Sequence, residues 1–214
     1  MSDEEKLLER LTAYLSDDQK HTLRIYGHGA SGKSTFARKL QLILGEERAN
    51  LLATDPYLIV GEYRDLLSSK DFPHQKVTAC LPAVYELSSL ERDIRALQSG
   101  LDILTIGTAW ASSLRLSAQK PILIVEGMSA AFLPKNLFDL SICFHTDEGT
   151  ELERRLARDT AVRGRDVHWI RQAHTSRRQQ YEHYYKMYQE EADFLISQTE
   201  EGFGIDKISN GLGK

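Results

Sequence analysis

The 214-residue chain is 41% hydrophobic and 27% charged, with a net charge of −4 and a pI near 6.0. It is long enough to bury a core without disulfide or metal staples, and its acidic balance excludes the basic surface of a nucleic-acid or anionic-membrane binder. Cys80 and Cys143 lie far apart with no metal-ligand spacing and read as reduced thiols. The acidic opening Ser2-Asp3-Glu4-Glu5 is no signal peptide, and no apolar run reaches the ~18 residues of a membrane helix, so the sequence predicts a soluble, cytoplasmic protein.

In chain order, Leu7, Leu8, Leu11 and Leu15 form one apolar stripe, which predicts an amphipathic helix over residues 4–16. Thr22-Leu23-Arg24-Ile25-Tyr26 reads as a short strand. Gly27-His28-Gly29-Ala30-Ser31-Gly32-Lys33-Ser34 follows at once and fits G-x-x-x-x-G-K-[ST]. Phe36, Leu40, Ile43 and Leu44 then repeat at helical spacing, with Gly45 as a stop signal. Strand, glycine loop and helix make the setting in which this pattern wraps a polyphosphate. Gly27, Gly29 and Gly32 are expected to permit positive φ and close backbone approach. The helix N-terminus favours the anion, Lys33 reaches the β- and γ-phosphates, and the Ser34 hydroxyl ligates Mg²⁺.

Leu51 to Asp55 reads as a second strand ending in a carboxylate, turned by Pro56-Tyr57. Ligands of open α/β sheets sit at the carboxyl ends of strands, which aims Asp55 at the crevice of the glycine loop. Residues 61–82 are polar and poorly periodic, an excursion near the substrate. Leu87 to Leu97 predicts a helix. Pro121 to Gly127 is a clear central strand, its apolar residues ending in an acid and a glycine, and Phe138 to Phe144 is another. Alternating strands and helices argue for a parallel sheet.

Thr150-Glu151-Leu152-Glu153 has capping-box form and predicts a helix start. Arg154, Arg155, Arg158, Arg163 and Arg165 follow closely, an anion clamp on an otherwise acidic chain. A second helix is expected over 167–191 and a last strand over 192–196, before a glycine-rich tail.

Four blocks in this order, Gly27–Ser34, Thr54-Asp55-Pro56-Tyr57, Val125-Glu126-Gly127 and Arg154-Arg155-Leu156-Ala157-Arg158-Asp159 leading to Arg163-Gly164-Arg165-Asp166, resemble the phosphoribulokinase/uridine kinase family of P-loop kinases, uridine kinase most nearly. The resemblance runs from about Thr22 to Ile196. It implies a P-loop NTPase-type three-layer α/β fold with a central parallel sheet and a small helical arginine-rich lid over about 150–166, all in a single domain spanning 1–214. It implies ATP with Mg²⁺, and γ-phosphoryl transfer to an acceptor hydroxyl, a nucleoside 5′-hydroxyl first. Asp55 then orients or deprotonates the acceptor, with Lys33 and Arg158 as its catalytic companions. Ser34 and Glu126 hold the metal. Nucleotide contacts fall to Gly27, Gly29, Ala30, Ser31, Gly32, Lys33, Ser34, Thr35, Arg154 and Arg163; acceptor contacts fall to Asp55, Tyr57, Arg155, Arg158 and Arg165. The implied partners are small molecules, not nucleic acid or membrane, and homo-oligomeric assembly is open.

The departures lie in the acceptor region. Where uridine kinases carry a segment like F-D-H-P-D-A-F-D, this chain has Ala79-Cys80-Leu81-Pro82-Ala83-Val84-Tyr85-Glu86, without the histidine and both earlier acids. The tyrosine-aspartate-histidine region appears as Ile106 to Ser112, and the base-reading glutamine falls at Ala173, with Gln172 one place off. Lost polar readers change selectivity by orders of magnitude, so a sugar, a sugar phosphate or pantothenate stands as an alternative acceptor, and a nucleotide sensor without turnover as an alternative class. A GTPase would need N-K-x-D and D-x-x-G, and neither occurs; Gly127-Met128-Ser129-Ala130-Ala131 lacks the last glycine of a hydrolase elbow.

Overall fold

The computed structural model describes residues 1–17, 19–59, 61–162 and 164–209. Its elements in chain order are α1 (Asp3–Tyr14), β1 (His21–Gly27), α2 (Lys33–Leu44), β2 (Ala49–Ala53), α3 (Gly61–Arg64), α4 (Leu87–Gln98), β3 (Ile103–Leu104), β4 (Arg115–Leu116), β5 (Ile122–Glu126), β6 (Leu140–His145), α5 (Glu148–Ala161), α6 (Val167–Gln180), β7 (Phe194–Thr199) and β8 (Gly202–Ile208). One sheet runs β2-β5-β1-β6-β7-β8; its first five strands are parallel and β8 pairs antiparallel with β7. β3 and β4 form a separate small hairpin.

The inner strands are apolar on both faces, which demands a cover on each side. Leu23 and Ile25 of β1, Ile122 and Ile124 of β5, and Ile142 and Phe144 of β6 pack against Leu7, Leu8 and Leu11 of α1 and Phe36 and Leu40 of α2. Tyr26, Leu123, Val125 and Cys143 face the opposite way, against Leu90, Ile94 and Leu97 of α4 and Tyr181 and Tyr185. Three layers follow. Cys80 and Cys143 are free and buried, and burial pushes their thiols up to about 11 and about 12. Among the described residues no helix is long and apolar enough to cross a membrane.

Four expectations need correction. The glycine-rich tail contributes β8, because Phe203 and Ile205 lean on the core beside β7 even though glycines interrupt the pattern. The helix after Thr150 begins earlier: Asp147 is the cap, accepting the Thr150 amide (2.9 Å), so Thr150 lies inside the first turn. The expected helix over 167–191 is regular only to Gln180; a π turn (Tyr181–Tyr185) and a 3₁₀ segment (Lys186–Glu191) complete it. The last parallel strand is Phe194–Thr199 rather than 192–196.

Candidate phosphate-binding site

β1 runs into the glycine loop, and Gly32 caps α2 at φ 93°. The glycines divide the work differently from expectation. Gly27 and Gly32 adopt positive φ (142° and 93°), whereas the left-handed residue between them is Ala30 (φ 66°), not Gly29. Gly29 is small for a different reason: a Cβ there would stand 2.6 Å from Arg155 Nη2. Ser31 is fully buried, its hydroxyl packed beneath the loop near Gly27.

Lys33 is buried at the start of α2, with Nζ 3.9 Å from Glu126 Oε1. Ser34 Oγ donates to the same oxygen at 2.8 Å. Thr35 is exposed on the same turn. Burial raises the Glu126 pKa above its ordinary value; the Lys33 charge and the Ser34 hydrogen bond oppose that shift, and Asp55 adds to it. A hydroxyl and a carboxylate side by side are the hard oxygen donors that suit Mg²⁺, which takes few protein ligands and keeps its waters.

Asp55 is exposed at the start of the 3₁₀ turn Asp55–Tyr57 that follows β2. β2 pairs with β5 so that Ala53 stands opposite Glu126, and the Thr54 amide donates to Glu126 O at 2.7 Å. Gly127 makes this closeness possible: at φ 139°, any Cβ would collide with Thr54 Oγ1. Two carboxylates and the glycine loop therefore share the carboxyl ends of β1, β2 and β5.

Other expected residues are placed elsewhere. Tyr57 is 1% exposed, and its hydroxyl donates to Asp93 Oδ2 of α4 at 2.5 Å. It anchors the Asp55 turn to α4 instead of facing an acceptor. Arg155 is buried, bound to Glu151 Oε1 through Nε (2.8 Å) and Nη2 (2.7 Å), and lies behind the loop at Gly29. Arg154 Nη1 donates to Ala30 O of the loop at 3.2 Å. Arg158 donates to Asp159 (2.8 Å), and Arg165 lies over the Trp169 ring at 5.0 Å. Both are held by their own segment, and the four expected arginines among the described residues do not converge as one clamp. Arg163 lies outside the described residues.

Three residues outside the expected site set support the loop. His28 is 2% exposed and accepts the Thr146 amide at Nε2 (3.1 Å). Tyr185 accepts the Gly27 amide (3.2 Å) and donates to Met128 O (2.9 Å), tying the loop's first residue to the chain beyond β5. Gln198 of β7 sets its carboxamide against Gly32.

The phosphoribulokinase/uridine kinase family model matches residues 23–202. The chain belongs to this family of P-loop kinases. It is similar to uridine-cytidine kinase B of Dictyostelium discoideum, 26% identical over 155 residues, which cover 68% of this chain and 61% of that relative. The chain thus spans less than two thirds of that protein's length. Phosphoribulokinase from Rhodobacter sphaeroides shares the fold at a TM-score of 0.61 and 15% identity, covering 84% of this chain and 71% of that one. D-glycerate 3-kinase from Cryptococcus neoformans does so at 0.62 and 11%, covering 96% and 99%.

Proposed function

We propose that this family member transfers the γ-phosphoryl group of ATP to a hydroxyl of a small molecule, with a nucleoside 5′-hydroxyl as the first acceptor to test. The observation that carries this reading is the meeting of Lys33, Ser34 and Glu126 at one point, with Asp55 on the neighbouring strand end. The loop N–H groups and the amino end of α2 cradle the phosphates, and Lys33 neutralises charge that builds on the transferred group. Asp55 accepts the hydrogen bond of the acceptor hydroxyl and aligns it for in-line attack, where positioning supplies most of the catalysis. Ser34 and Glu126 would hold Mg²⁺, which supplies further charge neutralisation at the phosphates. Arg154, which donates to Ala30 O of the loop, adds a positive charge beside the phosphates.

A second reading keeps the kinase and changes the acceptor to a sugar, a sugar phosphate or pantothenate. It is favoured by the apolar character of the segment that bears the family's polar readers. Val77, Val84 and Tyr85 are buried there, packed with Leu58, Ala79 and Leu81. A screen of ATP consumption with Mg²⁺ across uridine, cytidine, sugars, sugar phosphates and pantothenate separates the two. Turnover of a pyrimidine nucleoside supports the first; turnover confined to another class supports the second. ATP binding with no turnover on any acceptor points to the sensor class instead.

A further inference from the structure

Glu151, in the first turn of α5, is 2% exposed and divides its carboxylate between two elements. Oε1 accepts both bonds from Arg155, and Oε2 accepts from Arg178 Nη1 of α6 (3.1 Å) and lies 3.5 Å from His28 Nδ1. Because the Thr146 amide donates to His28 Nε2, the ring proton sits on Nδ1, where it faces Gly29 O (3.0 Å) and Glu151. The His28 ring packs edge-on against Tyr181 at 4.7 Å, and Arg178 covers the Tyr181 ring at 5.0 Å. One oxygen thus holds the guanidinium wedged behind Gly29, and the other holds the loop's own imidazole.

We propose that Glu151 is a positioning residue of the phosphate loop: through His28 and Arg155 it fixes the loop in its phosphate-binding form and ties that form to the docking of α5 and α6. The inference rests on the nucleotide-binding reading of the site. A buried carboxylate serves donors on both sides, and a glutamine of the same shape cannot. Its NH₂ must face either Arg155 or the Arg178–His28 pair, so one set of buried donors loses its acceptor. The loop then starts from several conformers, and the cost of ordering it is charged against ATP affinity while the acceptor side is untouched.

The test is ATP affinity by calorimetry, with Mg²⁺ and the full chain, for wild type, Glu151→Gln, His28→Ala, the double variant and Leu7→Ala. Leu7 lies on the buried face of α1 and makes no contact with the Glu151 network among the described residues, so its truncation supplies destabilisation without touching that network. The expected result is about tenfold weaker ATP binding in each single network variant, with the double no weaker than the worse single, and unchanged affinity in Leu7→Ala. Amide hydrogen exchange of the ligand-free chain gives a second readout: exchange over the loop residues 28–32 is expected to be faster in Glu151→Gln than in wild type, and unchanged in Leu7→Ala. Unchanged affinity in Glu151→Gln overturns the proposal, as do losses that multiply in the double, or an equal loss in Leu7→Ala. If wild type itself binds no ATP, the nucleotide reading fails; unchanged exchange of the loop amides in Glu151→Gln then overturns the Glu151 role independently.

Discussion

Ser34 Oγ donates to Glu126 Oε1 across 2.8 Å, although 92 residues separate them in the chain. The bond joins the first turn of α2 to the end of β5, two neighbours in space because β5 pairs with β1. Lys33 Nζ approaches the same oxygen, so cation, hydroxyl and carboxylate meet where phosphate and metal would sit. Lys33→Ala is expected to lower kcat by roughly 10²–10³-fold, the usual effect of removing one charge stabiliser. Its melting temperature should stay close to that of wild type. Steady-state kinetics beside thermal unfolding checks both, and undiminished turnover would count against the assignment.

Gly127 holds the two carboxylate-bearing strand ends together. Gly127→Ala forces a Cβ into Thr54 at a left-handed backbone angle, and is expected to cost about 1–3 kcal/mol. Urea unfolding measures the cost. Catalysis should fall beyond what stability explains, since Asp55 follows Thr54 directly.

Tyr57 separates the sequence-based role from the structural one. In the structure its hydroxyl satisfies buried Asp93, which Arg92 also binds at 2.7 Å. Tyr57→Phe is therefore expected to lose about 1–3 kcal/mol of stability with little change in acceptor KM. A large rise in acceptor KM without loss of stability would return Tyr57 to the acceptor site.

Two groups near the loop set the acid response. His174 is buried, with no hydrogen-bond partner at either ring nitrogen among the described residues, and burial lowers its pKa. Stability tied to it is complete above the ordinary value of 6.5 and is lost as pH falls below it. Burial alone would raise the Glu151 pKa, but hydrogen bonding with His28 and the charge of Arg155 hold it well below 4.5. Its contribution is complete above 4.5 and is lost as pH falls toward the depressed value. Thermal melts against pH should show both windows in wild type. Glu151→Gln should remove the lower one and His174→Leu the upper.

Much of the site was legible because its signals are short-range. Gly27 to Ser34 carries its chemistry within one turn of chain, and Asp55 and Glu126 announce themselves as acids at the ends of apolar runs. The remainder depends on contacts that no local pattern encodes. Tyr57 stands beside Asp55, yet which side of a turn faces the crevice is decided by Asp93 of α4. His28 and Glu151 meet only after β1, α5 and α6 are assembled. The π turn at Tyr181–Tyr185 swings Tyr185 toward Gly27, which helical periodicity alone would not place there. β8 and the two-residue strands β3 and β4 were invisible for a simpler reason: they are held by pairing rather than by a pattern of their own.

The most direct test of phosphoryl transfer is acceptor-dependent ADP release by wild type and Asp55→Asn, measured with ATP affinity on the same proteins. Release is expected with at least one hydroxyl acceptor, together with a fall in kcat for Asp55→Asn far larger than any change in ATP affinity. ATP binding with no acceptor-dependent release across nucleosides, sugars, sugar phosphates and pantothenate, or equal turnover by Asp55→Asn, would contradict it.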